Sequence, residues 1–120
     1  MAKARLIVQN FTDVTVVTFQ DTTLLQEQVI EEAAVDLYEM VERKNKRKLI
    51  LDFSNIRMFA SQMLSVLIHL NNKSKEIKGE LVLCGLRDEL KKVFTVTNLE
   101  KSFFFCADHS SALAHFRVYV

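Results

Sequence analysis

The chain has 120 residues and carries 16 Lys and Arg against 15 Asp and Glu, a formal net charge of +1. A hydrophobic content of 49% excludes a disordered chain, and the balanced charge excludes a strongly basic nucleic-acid-binding domain. The length fits a single domain over residues 1–120, and no apolar run approaches the roughly 18 residues of a membrane span. Since the N-terminus has no signal-peptide pattern, we expect a soluble, cytoplasmic protein.

The first forty residues predict a β-hairpin followed by a helix. Residues 5–9 and 14–19 are rich in β-branched side chains, and turn formers occupy residues 10–13 between them. Residues 21–23 offer side chains that could cap a helix. Apolar residues then recur at helical spacing over residues 25–44, which predicts an amphipathic first helix.

The run Arg43-Lys44-Asn45-Lys46-Arg47-Lys48 is the one charge cluster in the sequence. Cations suit the negative end of a helix dipole, so we interpret the run as a solvated helix end. A patch that binds nucleic acid or an anionic membrane is the alternative, although no aromatic residue is interleaved with the cations.

The central part of the chain predicts a buried strand and a second helix. Residues 49–53 are almost continuously apolar, which is typical of a strand buried on both faces. Residues 61–78 predict a helix that is apolar in its first half and polar in its second. Gly79 stands at the position of a C-cap for this helix.

The last third of the chain predicts two more strands and two more helices. The strands are placed at residues 81–84 and 103–106, and the helices at residues 88–96 and 108–119. The final helix has Asp108 or Ser110 as its cap and counts Val120 among its core-facing residues. The whole pattern predicts an α/β fold, with a hairpin, then alternating helices and strands, and a mixed sheet of about five strands flanked by four helices.

Neither the cysteines nor the histidines predict a chemical site or a cofactor. Cys84 and Cys106 lie in apolar segments, where a free cysteine behaves as a small buried hydrophobe. Together with His69, His109 and His115 they form no cluster at metal-ligand spacing.

No catalytic motif is recognisable either. With two glycines in the chain, Gly-rich phosphate loops are excluded. Asp52 ends a strand, where α/β proteins often place functional residues, yet no acid, base or nucleophile stands at a fixed spacing from it. We therefore expect its carboxylate to order a loop or to cap a helix.

The junction between the buried strand and the second helix is the most informative region. Its loop, residues 54–60, is apolar for a surface loop, and Ser61 stands where a helix N-cap belongs. A phosphate on the Ser61 hydroxyl would lie near free backbone N–H groups and would add nearly two negative charges to an apolar surface. A plain N-cap and a switchable binding surface both remain open at this point.

Three strings around this junction resemble the STAS domain family, in particular the single-domain bacterial anti-sigma-factor antagonists. They are residues 49–56, Ser61 with residues 64–67, and residues 79–86, and the resemblance extends over roughly residues 6–113. It implies a mixed sheet flanked by helices and a binding protein rather than an enzyme. It also implies two partners, an anti-sigma factor that is a serine kinase and a serine phosphatase, and no nucleic acid or membrane.

The resemblance identifies Ser61 as the match to the family's phosphoacceptor. Family members usually carry Asp-Ser-(Ser/Thr)-Gly-Leu-Gly where this chain has Ala60-Ser61-Gln62-Met63-Leu64-Ser65. Ala60 therefore replaces the usual acid, and Met63 and Ser65 replace the two glycines.

The same positions define the expected partner-binding residues. These are Met58, Phe59, Ala60, Gln62, Met63 and Ser65. An apolar surface around Met58, Phe59 and Met63 is the expected docking face, and a core role for these three side chains stays open as the alternative.

Two other functions also stay open. The altered Ala60 and Met63 would fit a constitutive STAS interaction subunit of a signalling or transport complex that is not phosphorylated. The apolar half of the second helix would instead suit a nucleotide- or lipid-binding module, or an enzyme, of flavodoxin-like shape.

Overall fold

The computed structural model describes residues 5–119. The strands are β1 (Leu6–Phe11), β2 (Val14–Phe19), β3 (Thr23–Leu24), β4 (Lys48–Asp52), β5 (Met58–Phe59), β6 (Glu80–Cys84) and β7 (Phe104–Cys106). The helices are α1 (Glu27–Glu42), α2 (Ser61–Glu76), α3 (Asp88–Val96) and α4 (His109–His115), with a short 3-10 turn at Glu100–Ser102. Among these described helices, none is both long and apolar enough to cross a membrane.

A five-stranded mixed sheet has the order β1-β2-β4-β6-β7. The hairpin β1–β2 is antiparallel, with Leu6 opposite Phe19, and β2, β4, β6 and β7 run parallel to one another. The predicted α/β fold with about five strands and four helices is thereby confirmed. All parallel strands end at the same edge of the sheet, here called the carboxyl edge.

Strand β4 separates two hydrophobic cores. Leu49, Leu51 and Phe53 pack with the apolar sides of α1, α2 and α3 on one face of the sheet. Ile50 packs with α4 on the other face. Each of these four side chains is completely buried, which confirms the prediction of a strand covered on both faces.

The chain between the hairpin and α1 forms a strand, not a helix cap. Strand β3 pairs in parallel with β5, so that Thr23 lies opposite Met58 and Leu24 lies opposite Phe59. The N-cap of α1 is Gln26, and its side chain makes no capping hydrogen bond. The sequence-based assignment of residues 21–23 as caps is wrong because this segment pairs with β5 in a second, two-stranded sheet.

The last helix is shorter than expected. Asp108 caps it as predicted, with one carboxylate oxygen accepting a hydrogen bond of 2.8 Å from the Ser111 N–H. This bond lowers the pKa of Asp108 below its ordinary value. The helix ends at His115, and Val120 lies outside the described residues.

Gly79 does not provide the left-handed residue that ends α2. Lys78 has the positive φ of 59°, and its N–H and that of Gly79 donate to the carbonyls of Lys75 and Ser74. This is the hydrogen-bond pattern of a Schellman motif with lysine as its left-handed residue. Gly79 is needed for a different reason, because a Cβ atom there would lie 2.6 Å from the Arg47 carbonyl oxygen.

The two neighbouring residues should therefore respond to substitution with opposite signs. Gly79→Ala forces the two backbones apart and should lower the free energy of unfolding by about 1–3 kcal/mol. Lys78→Gly removes the Cβ strain of the left-handed region and should raise it by up to about 1 kcal/mol. Urea denaturation measures both, and equal tolerance of the two substitutions would contradict this account of the turn.

Candidate functional site

The loop that joins β4 to β5 is fixed by hydrogen bonds to the rest of the fold. The Arg57 N–H donates to the Thr22 carbonyl at 2.7 Å, and the Asn55 side chain donates to the Phe19 carbonyl at 3.0 Å. Because Phe19 ends β2 and Thr22 directly precedes β3, these bonds tie the loop to the chain between the two strands.

Asp52, at the end of β4, and Gly85, just after β6, shape the start of this loop. The Asp52 carboxylate is buried and accepts a hydrogen bond of 2.9 Å from the Ser54 N–H. Gly85 has a φ of 72°, and a Cβ there would lie 2.8 Å from an Asp52 oxygen and 2.9 Å from the Ser54 nitrogen. Asp52 thus orders a loop, as the sequence predicted, and Gly85 leaves room for the turn that directs the chain toward β5.

Strand β5 turns one apolar side chain outward and one inward. The side chain of Met58 is 55% exposed, whereas Phe59 is only partly exposed. The Phe59 ring packs edge-on against Phe53 and Phe94, at centroid distances of 6.1 and 6.4 Å. Such aromatic pairs stabilise a particular geometry, so Phe59 anchors the strand from beneath.

Ser61 is the first residue of α2 and is exposed to solvent. The N-cap is Ala60, with an extended backbone (φ −76°, ψ 157°), so the expectation of Ser61 as the N-cap is wrong by one residue. The N-terminal turn has no side-chain cap and no acidic residue. Its backbone N–H groups and the positive end of the helix dipole therefore act on the Ser61 position without a competing carboxylate.

The expected docking face of Met58, Phe59 and Met63 requires two corrections. Phe59 packs against the core beneath β5, and Met63 is completely buried with the rest of the apolar side of α2. The surface therefore consists of exposed Met58, Ser61 and Ser65, with partly exposed Ala60 and Gln62 between them. Met63 does not belong to it because α2 turns that position toward the sheet.

Leu25 belongs to the same surface and was not predicted. It follows β3 directly and is 48% exposed. The Ala60 N–H donates to the Leu24 carbonyl at 2.9 Å, which places Leu25 beside Ala60 on the outer face of the small sheet. The sequence assigned Leu25 to the first helix, so no signal separated it from the buried apolar stripe. Leu25, Met58, Ala60, Ser61, Gln62 and Ser65 are called the Ser61 surface below.

The cysteines and histidines do not form a second site. Burial raises the pKa of the Cys84 thiol well above its usual range, and the nearby Asp52 carboxylate raises it further. His109 Nδ1 lies 3.4 Å from Asp52, whereas His115 Nε2 lies 2.7 Å from Glu80. Within residues 5–119, no group of three or more His, Cys, Asp or Glu side chains is placed to hold a metal ion.

Comparison with known proteins identifies the family. The model of the STAS domain family matches residues 7–112. The chain belongs to the STAS domain family. A similar member is BtrV of Bordetella bronchiseptica, named as a candidate anti-sigma factor antagonist. It is 26% identical over 87 residues, which cover 72% of this chain and 74% of BtrV.

Solved structures share this STAS fold at low sequence identity. TM1081 of Thermotoga maritima, described as a candidate anti-sigma factor antagonist, has a TM-score of 0.81 and 18% identity over 93% of this chain and 94% of its own. The anti-sigma factor antagonist SpoIIAA in its unphosphorylated form has a TM-score of 0.76 and 13% identity over 94% of this chain and 98% of its own. SpoIIAA from Bacillus has also been solved in its phosphorylated form, with a TM-score of 0.73, 13% identity and coverage of 94% and 100%.

The two methionines of the site form a matched pair for testing this geometry. Met63→Ala should lower the free energy of unfolding by about 2–5 kcal/mol because it opens a cavity in the core. Met58→Ala should change it by less than about 0.5 kcal/mol because the side chain is mostly in solvent. Urea denaturation of both variants measures the difference, and a large loss for Met58→Ala would contradict its placement on the surface.

Proposed function

We propose that this STAS protein is an anti-sigma factor antagonist that binds an anti-sigma factor through the Ser61 surface. Phosphorylation of Ser61 switches the binding off, and a serine phosphatase restores it. The observation that carries the proposal is the exposure of Ser61 beside the apolar side chains of Met58 and Leu25. The protein would thus regulate transcription in the cytoplasm by binding other proteins, without catalysing a reaction.

The chemistry of the Ser61 surface suits such a switch. Unmodified, it presents apolar side chains and uncharged hydroxyls that a partner can bury at low cost. A phosphate would bring about two negative charges to the same place, and burying an unpaired charge is costly. In the free protein, the uncapped start of α2 would stabilise the phosphate, so that modification favours the unbound state.

The departures from the usual family motif are compatible with this role. Ala60 removes a carboxylate that would otherwise repel the phosphate. Met63 is buried, so its bulk does not cover the Ser61 surface. The structural relatives support a phosphorylation switch, since SpoIIAA is an anti-sigma factor antagonist with a phosphorylated form.

A constitutive interaction subunit is the second candidate. It is favoured by Ala60, because the missing acid would alter the sequence that a kinase reads next to Ser61. Such a subunit would bind through the same surface, and a negative charge at residue 61 would leave its affinity unchanged.

Binding to the purified anti-sigma factor kinase of the source organism distinguishes the two candidates. Ser61→Asp should weaken the complex at least about tenfold, which corresponds to 1.4 kcal/mol. Ser110→Asp is the matched control, because it adds the same charge at the exposed start of α4, on the other face of the sheet. Unchanged affinity for Ser61→Asp would support the constitutive subunit, and no binding by the wild-type protein would contradict the proposed antagonist.

Phosphorylation by the same kinase tests the assignment of the acceptor. With ATP present, Ser61→Ala should remain unmodified, whereas Ser65→Ala should be phosphorylated like the wild-type protein. Equal modification of Ser61→Ala and the wild type would show that the acceptor lies elsewhere.

A further inference from the structure

A second charged segment joins the cationic run at the sheet edge opposite the carboxyl edge. The run at residues 43–48 follows α1, and residues 73–78 form the end of α2 and the turn after it. The two segments lie side by side, because the Glu80 N–H, two residues after the second segment, donates to the Arg47 carbonyl at 2.6 Å. Residues 43–48 and 73–78 together are called the basic end.

The basic end contains half of the cationic side chains of the protein. Its two segments contain eight Lys and Arg residues and one acidic residue, Glu76, so together they carry a charge of +7. Because the whole chain carries +1, the remaining residues carry −6. Four of these remaining acidic residues also lie at this end, because Asp13, Glu39 and Glu42 pair with its cations and Glu80 begins β6 beside Arg47. Counting them, this end of the molecule still carries an excess of three positive charges.

Helix capping explains only a small part of this charge. Each helix C-terminus carries about half a negative charge, so the ends of α1 and α2 together call for about one cation. Three of the eight cations are in ion pairs: Arg43 with Glu39, Lys73 with Glu42 and Lys48 with Asp13, at 2.7–3.1 Å. Among the residues that the structure describes, the other five form no ion pair, and they are Lys44, Lys46, Arg47, Lys75 and Lys78.

The basic end offers neither a free strand edge nor an apolar groove to a peptide. Strands β4 and β6 lie inside the sheet, so neither offers a free edge for an added strand. Residues 43–48 contain no apolar side chain, and Ile77 is turned toward the core. The surface thus has charge without an apolar anchor.

A nucleic acid also fits poorly. No aromatic side chain lies within residues 43–48 or 73–78. The neighbouring Tyr38 ring already has Lys73 Nζ over one face, 5.2 Å from its centroid, so a row of bases would have no free stacking platform. An extended anionic layer requires only positive charge within a Debye length, about 8 Å at physiological ionic strength.

We infer that the basic end binds the surface of an anionic lipid bilayer as a peripheral, salt-sensitive contact. This orientation turns the carboxyl edge, and with it the Ser61 surface, away from the lipid. The inference goes beyond the proposed function, and it departs from the sequence-based expectation of no membrane partner.

Co-sedimentation with lipid vesicles tests this inference. At low ionic strength the wild-type protein should bind vesicles that mix phosphatidylglycerol with phosphatidylcholine, and added salt should release it. It should not bind vesicles of pure phosphatidylcholine. Each cation near a charged bilayer raises the affinity about fivefold, so Lys44→Gln combined with Lys78→Gln should weaken binding about 25-fold.

The matched control is Arg87→Gln combined with Lys92→Gln, which removes two exposed cations around the start of α3, beyond the carboxyl edge. Its vesicle binding should equal that of the wild type. No wild-type binding to the anionic vesicles, or an equal loss in the control pair, would overturn the inference. Tighter binding to an RNA or duplex DNA oligonucleotide than to the vesicles, weakened by the Lys44 and Lys78 substitutions, would assign the basic end to nucleic acid instead.

Discussion

The complete burial of strand β4 is the constraint on which the rest of this structure depends. Leu49, Ile50 and Leu51 have no exposed surface, so both faces of the strand must be covered by helices. That requirement places β4 at the centre of the sheet and directs its carboxyl end to the edge where α2 begins. The position of Ser61 follows from the position of this strand.

The Ser61 surface is apolar, and a layer of packed aromatic side chains supports it from the core side. Phe53 stacks on Phe19 at 4.9 Å and, with Phe59 and Phe94, fills the space under the small β3–β5 sheet. Side chains locked in this way hold the outer face in one geometry, which lowers the entropic cost of binding a partner. A modification at Ser61 would therefore act by adding charge to a preformed surface, and no rearrangement of the fold is needed.

Local sequence patterns predicted the main elements, with Asp108 or Ser110 left open as the cap of the last helix. The alternation of helices and strands, the buried β4 and the cap at Asp108 all depend on neighbouring residues in the sequence. The β3–β5 pairing could not be predicted in this way, because two residues contain no periodicity and the partner lies more than thirty residues away. The pairing also determines which residues belong to the Ser61 surface, including Leu25.

Two further expectations from the sequence, for Gly79 and Met63, were also decided by tertiary contacts. Gly79 looked like a C-cap because glycine follows many helices, yet its role depends on the approach of Arg47 from another loop. Met63 could have been core or surface, and only the rotation of α2 about its axis decides between them. The sequence predicted only the cationic run of the basic end, since the contact that brings residues 73–78 beside it, between Glu80 and Arg47, is tertiary.

The central claim is that Ser61 carries a reversible negative charge in the cell. The most direct test is to isolate the protein from its own host under several growth and stress conditions, measure its intact mass and map any phosphate by fragmentation. The account predicts a phosphate on Ser61 in some conditions and its absence in others. A single unmodified mass in every condition, or a phosphate only at another residue, would contradict it.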